Sequence, residues 1–277
     1  MTETVIVTGA LGGAGSWIVE DLRFDYDVVA VDLELPADLD VDGVSFQAVD
    51  LTERADAWET VVDHDPAAVV HFGNIPHEEN HAGGHVYENN AISTFNVLDA
   101  AGRAGADIVW ASSETVYGTH YPEPGLPEHL PVTEDHPVRP WNAYDVPVAS
   151  IRPSWIQYPG RYLVTDVREE FSLDSAGRFG NLWSYIDVRD VVDMVAAALD
   201  ADFEGHEVLN AFAADNFLGV PTAGAIEAGY GDLPEDCTLE GDESGFSTAK
   251  AGELLDWEPT HSWKEAEDET VSGPSFV

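Results

Sequence analysis

The sequence predicts an α/β fold, a doubly wound parallel sheet covered on both faces, with a small discontinuous C-terminal α+β part. Three observations predict it. Short apolar runs alternate with helical patterns through the first 150 residues, as strands of a parallel sheet separated by crossover helices require. A Gly-rich turn stands between the first apolar run and the first helix. The second apolar run ends in an acidic residue, Asp32.

Taken in order, Val5 to Val7 forms the first strand, followed by a turn and a helix to about Arg23. Val28 to Val31 and Val44 to Val49 are the next two strands, each ending at an aspartate, Asp32 and Asp50. Ala67 to Phe72 is a fourth strand, Val86 to Gly102 has helical apolar spacing, and Ile108 to Ala111 is a fifth strand. A Pro-rich stretch to Asn142 follows, too long for an ordinary connection and therefore a candidate functional loop. Val146 to Ile151 is expected as a sixth strand, Val188 to Leu199 as a helix and Glu207 to Leu209 as a short strand. Helices near 222–229 and 247–255 complete the smaller part.

Composition narrows the partners. Among 277 residues the formal charge is −42, and 44% are hydrophobic, which is too apolar for a disordered acidic tail. A surface of this sign repels nucleic acid and anionic membranes. Only two lysines exist, Lys250 and Lys264, and carboxylates are spread along the chain. That balance reads as adaptation to molar salt, in a haloarchaeal cytoplasm, where a Debye length of roughly 3 Å screens self-repulsion. The lone Cys237 has no internal partner and suits a reducing compartment. The opening MTETVIVTG runs straight into a strand, and no apolar run approaches membrane-spanning length, so a soluble cytoplasmic protein is expected.

The strongest chemical signal is the turn Thr8-Gly9-Ala10-Leu11-Gly12-Gly13-Ala14-Gly15. Glycines at 9, 12, 13 and 15 permit a tight turn, close approach of backbone to a pyrophosphate, and close packing of the following helix. The helix N-terminus then offers free N–H groups to phosphate. Asp32, seventeen positions after Gly15, can accept both adenosine ribose hydroxyls and repels a 2′-phosphate. The context reads as dinucleotide binding, with NAD preferred over NADP. His77-Glu78-Glu79-Asn80-His81 also fits a zinc-protease pattern literally. Pro76 precedes it and Gly83-Gly84 follow, so the long helix such a site needs is absent, and no metal is expected.

Together these features resemble the extended short-chain dehydrogenase/reductases, the sugar epimerase/dehydratase group, on a Rossmann-type sheet. Gly9, Gly12 and Gly15 have that family's fingerprint spacing, and Asp50-Leu51 resembles its adenine-contacting pair. His71-Phe72-Gly73-Asn74 resembles its turn beneath the cofactor, and Asn90 to Leu98 its Asn-containing fourth helix. Ser112 to Gly118 resembles its Ser-Ser-x-x-Val-Tyr-Gly segment, Pro140 to Tyr144 its approach to the catalytic tyrosine, and Ile151-Arg152-Pro153 its turn after strand six. Tyr185 to Val191 and Ser247 to Pro259 resemble its later signatures.

The resemblance implies NAD-linked oxidoreductase chemistry on a sugar or nucleotide sugar, with Ser113 orienting a sugar oxygen and Tyr144 as proton acceptor. It implies cofactor contacts from Gly9, Gly12, Gly13, Gly15, Asp32, Asp50, Leu51, Phe72, Gly73 and Asn90. Substrate contacts fall to Asn74, Thr115, Arg161, Trp183 and Tyr185. The segment Asn181 to Ser184 is also similar to sugar and uronate dehydrogenases, so oxidation of a free aldose or uronate is the alternative. The division expected is a dinucleotide-binding domain over 1–153, completed by about 187–210, and a substrate part over 154–186 and 211–277.

One family feature is absent. A lysine four residues after the tyrosine lowers the phenol pKa in that family, and position 148 is Val. Tyr144 runs through Asp145-Val146-Pro147 into strand six, where the family has a helix of about twenty residues. A parallel crossover normally needs a dozen or more residues, and four reach at most about 14 Å. Either the 115–143 segment is redrawn to make the crossover, or an internal deletion has removed the Lys-bearing helix; the latter is favoured. That helix usually pairs with its twin in the family's homodimer. A catalytically impaired NAD-binding remnant is therefore the competing expectation.

Overall fold

The computed structural model describes residues 2–75, 83–118, 125–138, 151–201, 206–266 and 268–277. His77 and His81 of the zinc-protease-like pattern, and Tyr144 with Val148, lie outside the described residues. The chain divides into two compact units. One comprises residues 1–111, 198–200 and 272–277; the other comprises 112–197 and 201–271.

In the first unit, β1 (Thr4–Thr8), β2 (Asp27–Asp32), β3 (Val44–Ala48), β4 (Ala68–His71) and β5 (Asp107–Trp110) form one parallel sheet in the order β3-β2-β1-β4-β5. The chain order reverses at β1, which pairs with β2 on one side and β4 on the other. Ligands of open α/β sheets bind at such a switch point, outside the carboxyl ends of the strands. The central strands are apolar runs because both faces are covered: Val5, Val7, Val31, Val69 and Val70 are fully buried. Helix α1 (Gly13–Leu22) buries Ile18, Val19 and Leu22 at helical spacing. Helix α2 (Arg54–His64) adds Val61 to a core with Ile6, Val29, Val31, Val69, Val97 and Ala101.

The expected helix over 86–102 is longer and not regular. It opens as α3 (Gly83–Tyr87), widens into a π-helical segment over Glu88–Ser93, and continues as α4 (Thr94–Ala104). Gly105, at φ 78°, ends it in the left-handed conformation that suits glycine. A π segment admits an extra residue per turn and re-aims the side chains it carries, here Asn89 and Asn90.

Among the described residues of the second unit, the strands form three short parallel pairs: β6 (His129–Leu130) with β11 (Asp236–Cys237), β7 (Ile151–Pro153) with β10 (Leu209–Ala211), and β8 (Ile156–Gln157) with β9 (Ile186–Asp187). The expected sixth strand is described only from Ile151 onward, and the expected strand at 207–209 lies two residues later, where Leu209 to Ala211 are all buried. Helices α5 (Val164–Glu170), α6 (Val188–Asp200), α7 (Thr222–Tyr230), α8 (Ala249–Leu255) and α9 (Trp263–Ala266) complete the elements described. The core of this unit is aromatic: Phe212 stacks on Phe246 with centroids 4.2 Å apart, and Trp183 stacks on Phe179.

Candidate functional site

The Gly-rich turn is dictated by sterics. Gly9 has φ +66°, and a Cβ there would lie 2.6 Å from the Phe72 carbonyl oxygen and 2.8 Å from Gly73. A Cβ on Gly15 would lie 2.0 Å from the Gly9 oxygen. The turn therefore closes on itself and on the residues after β4, and only glycine fits. Gly12 caps α1 from extended backbone and donates its N–H to the Gly9 carbonyl at 2.9 Å. Gly12 and Gly13 are exposed, and the first turn of α1 carries no acid. The helix dipole and the leading N–H groups together favour an anion at this end.

Asp32 closes the other side. Its Oδ2 accepts from Leu11 N–H and its Oδ1 from Leu33 N–H, each at 2.8 Å. Each oxygen keeps a second lone pair for a hydroxyl donor. Asp50 Oδ1 accepts from the N–H and hydroxyl of Thr52, at 3.0 and 2.6 Å, which shapes the turn after β3. Asn96 of α4 holds the same turn through the Leu51 and Thr52 carbonyls, each at 3.0 Å.

Beneath the turn, His71 is fully buried between Thr8 Oγ1 at 2.7 Å and Thr94 Oγ1 at 3.0 Å. Burial pushes its pKa down to about 4, so it is a neutral bridge between β1, β4 and α4. Asn89 donates to the Gly73 carbonyl at 2.9 Å. Asn90 accepts from Ile75 N–H and donates to the Ile75 carbonyl, at 2.8 and 3.0 Å. The Asn90 amide, expected to contact cofactor, is thus engaged in shaping the 73–75 turn. Asn74 donates to the Ala111 carbonyl at 3.1 Å, and its buried Oδ1 has no partner among the described residues. Sequence reasoning did not assign Thr8, Asn89, Thr94 or Asn96 a role. For Asn89, Thr94 and Asn96 the available signal was a set of short polar side chains on an otherwise amphipathic helix.

In the second unit, Ser113 and Thr115 meet. Ser113 precedes a 3₁₀ turn over Glu114–Tyr117, and its Oγ accepts from Thr115 N–H at 3.2 Å and from the Thr115 hydroxyl at 2.9 Å. The Ser113 hydroxyl keeps its own proton to donate. Arg161 is exposed, with its backbone N–H bonded to Tyr158 O at 2.9 Å. Trp183 and Tyr185, expected among the substrate contacts or as core packing, both lie in the aromatic core of this unit. Trp183 lies against Phe171 and Phe179, and Tyr185 is fully buried. The Tyr185 hydroxyl donates to Asp215 Oδ1 and accepts from Trp263 N–H, each at 2.7 Å. Burial, reinforced by Asp215, pushes this phenol well above its ordinary pKa. Among the described residues no cluster of His, Cys, Asp and Glu is placed to hold a metal, and no helix is long and apolar enough to cross a membrane.

A parallel sheet with a glycine turn at its switch point and an acid on the next strand defines a nucleotide-binding α/β protein. Residues 5–151, just over half the chain, match the NAD dependent epimerase/dehydratase family, and the chain belongs to that family. A UDP-glucose 4-epimerase of Rhizobium leguminosarum bv. trifolii is 30% identical over 209 residues, which cover 74% of this chain and 54% of that protein. The UDP-glucose 4-epimerase of Bacillus subtilis is 30% identical over 153 residues, 50% of this chain and 43% of that protein. The match thus spans about half the length of these relatives. Among solved structures, the Bordetella bronchiseptica enzyme WbmG in complex with NAD and UDP has a TM-score of 0.68 at 17% identity, covering 95% of this chain and 90% of that one. The family's cofactor is NAD, and the residues present fit it: an acid-free helix start, a turn with no room for Cβ atoms, and a carboxylate at the end of β2.

Proposed function

We propose that this chain binds NAD through the Gly9–Gly15 turn and Asp32 and acts on a sugar or nucleotide sugar. The observation that carries this reading is the closed turn itself, held to Asp32 by the Leu11 N–H at 2.8 Å. Family membership supports it, and the UDP-glucose epimerase relatives support a nucleotide sugar as the substrate class. In this reading the N–H groups of Gly13 and Ala14 bind pyrophosphate, Asp32 accepts the ribose hydroxyls, and the turns at 50–52 and 72–74 cover adenine and nicotinamide. When bound, NAD supplies the hydride acceptor. Ser113, held by Thr115, donates to the sugar oxygen and orients it, and Tyr144 takes the hydroxyl proton. Arg161 is the candidate for a carrier phosphate or a uronate carboxylate.

Position 148 favours a second reading. A phenol with pKa near 10 is a poor base at neutral pH unless a cation favours its anion, and Val148 supplies none. With an internal deletion after Tyr144, the chain would bind NAD and turn over slowly or not at all. Calorimetric titration of NAD, then comparison of wild type with Tyr144→Phe on UDP-sugars, aldoses and uronates, separates the two. Tyr144-dependent turnover supports the enzyme, NAD binding without it supports the impaired form, and absence of NAD binding defeats both.

A further inference from the structure

The 3₁₀ turn that follows Ser113 buries Glu114, Val116 and Tyr117 and leaves Ser113 and Thr115 half-buried. Side chains three apart in a 3₁₀ helix eclipse one another, so Glu114 and Tyr117 leave the turn on one side. Both are met by β7 and the residue after it. Glu114 Oε2 accepts from the Ser154 hydroxyl at 2.8 Å, and the Asn181 side chain bonds the same carboxyl. The Tyr117 oxygen accepts from Arg152 Nη1 at 2.8 Å and gives its own hydrogen to Asn210 Oδ1 at 2.7 Å. Asn210 in turn spends its amide hydrogens on the Ser247 and Val132 carbonyls, at 3.1 and 3.3 Å, which fixes Oδ1 as the acceptor. The hydrogens therefore run one way, from Arg152 through Tyr117 to Asn210. Arg152 and Asn210 are register partners across β7 and β10, so the phenol oxygen bridges one rung of that pair. None of the three residues is more than 5% exposed.

We propose that Tyr117 is the positioning residue of the turn that carries Ser113 and Thr115, its hydroxyl clamped between Arg152 and Asn210 so that the Ser113–Thr115 pair keeps one orientation. Arg152 is a costly group to bury, and its Nε has no partner among the described residues. Burial of such a guanidinium is weak evidence of a stabilising role. What it supplies is direction: with one hydrogen entering the phenol oxygen and one leaving it, the ring has a single place to sit, and the turn is tied to that ring. Burial pushes the Tyr117 phenol up to about 12 even beside Arg152, so Tyr117 keeps the proton it gives to Asn210 and does not take one from a substrate. The bearing of the clamp on turnover rests on the role proposed above for Ser113; the clamp itself does not.

The test uses Tyr117→Phe, which keeps the ring against Phe246 and His136 and removes only the hydroxyl, together with Arg152→Met and the double variant. Hydrogen exchange of the Thr115 and Gly118 amides, bonded to Ser113 Oγ and Thr115 O, should be about tenfold faster in each single variant, beyond any change in the amides of α7. The double variant should exchange no faster than either single one, as two groups acting through one bond require. Where wild type turns over a sugar, kcat per NAD-binding site should fall about tenfold in Tyr117→Phe, with NAD affinity unchanged. Unchanged exchange at the turn overturns the clamp, and additive effects in the double variant do the same. An acceleration shared equally by α7 assigns Tyr117 to general stability and overturns the positioning role. A kcat unchanged despite a loosened turn removes Tyr117 from the reaction. Exchange is read without turnover, so failure of the clamp and failure of the proposed activity are told apart.

Discussion

The backbone N–H of Leu11 lies 2.8 Å from Oδ2 of Asp32, joining the centre of the Gly-rich turn to the last residue of the neighbouring strand. The strand pairing makes this possible: β1 and β2 run parallel in register, Thr8 beside Val31, so the turn leaving β1 and the end of β2 emerge together. The Ala10 N–H to Val31 carbonyl bond at 3.1 Å continues that pairing by one step. The carboxylate is therefore oriented before any ligand arrives, which limits the ordering a ligand must impose.

Asp32→Asn tests this preorganisation. The amide oxygen can still serve Leu11, but the negative charge and one acceptor are lost. Hydrogen bonds to a charged group contribute about 1.5–3 kcal/mol, so NAD affinity should fall roughly 10- to 100-fold in calorimetry. The same change removes the repulsion of a 2′-phosphate, so the NADP-to-NAD affinity ratio should rise. An Asn variant that binds both nucleotides as wild type does would remove Asp32 from the cofactor site.

Two glycines separate local geometry from composition. At Gly15 an added Cβ meets the Gly9 oxygen at 2.0 Å, whereas at Gly102, inside α4, it meets nothing within 4 Å. Gly15→Ala should abolish NAD binding and destabilise the chain by about 2 kcal/mol or more, because backbone must move. Gly102→Ala should stabilise it by about 0.5–1 kcal/mol through reduced unfolded-state entropy, with affinity unchanged. Chemical unfolding and NAD titration of both variants provide the check.

His71 sets an acid limit. Its folded-state pKa is pushed down to about 4 from 6.5 by complete burial, with no charge involved. The unfolded chain therefore takes the proton first as pH falls, and stability is lost between pH 6.5 and 4, on the order of 3 kcal/mol in total. Urea unfolding between pH 6.5 and 5, above the range of most carboxylates, should show this slope in wild type. In His71→Gln, which can still bridge Thr8 and Thr94, the slope should largely vanish. Parallel slopes would show that His71 is not the titrating group.

How far the sequence could be read follows from how local each cause is. The turn at 9–15 was legible because its glycines answer to sterics within seven residues, and strands β1, β2 and β4 because burial on both faces leaves an apolar run. The π segment at 88–93 was not legible: Asn89 and Asn90 resemble any polar helix surface until Gly73 and Ile75 are placed against them. Trp183 and Tyr185 were legible only as aromatics in a polar context, which read alike whether they face ligand or core. Tyr185 is settled by Asp215 and Trp263, residues far along the chain. Glu114 likewise looks like one acid among many until Ser154 and Asn181 enclose it.

Salt dependence follows from the net charge of the chain. Against a formal charge of −42, both lysines are already engaged, Lys250 with Glu207 at 2.9 Å and Lys264 with Asp242 at 2.6 Å. On the first unit Asp99 is paired with Arg54 and Arg103, at 3.0 and 2.7 Å. These pairs are exposed or partly so, and each adds little stability in solution. Most of the repulsion among the remaining carboxylates must therefore be relieved by dissolved ions, whose Debye length falls from about 10 Å at 0.1 M to about 3 Å at 1 M. The unfolding midpoint should accordingly rise steeply between about 0.1 and 1 M KCl and then flatten. Sucrose, which acts by exclusion from the surface rather than by screening, should stabilise without that steep early rise. A protein equally stable in dilute buffer and in KCl would mean that the acidic surface is not an adaptation to salt.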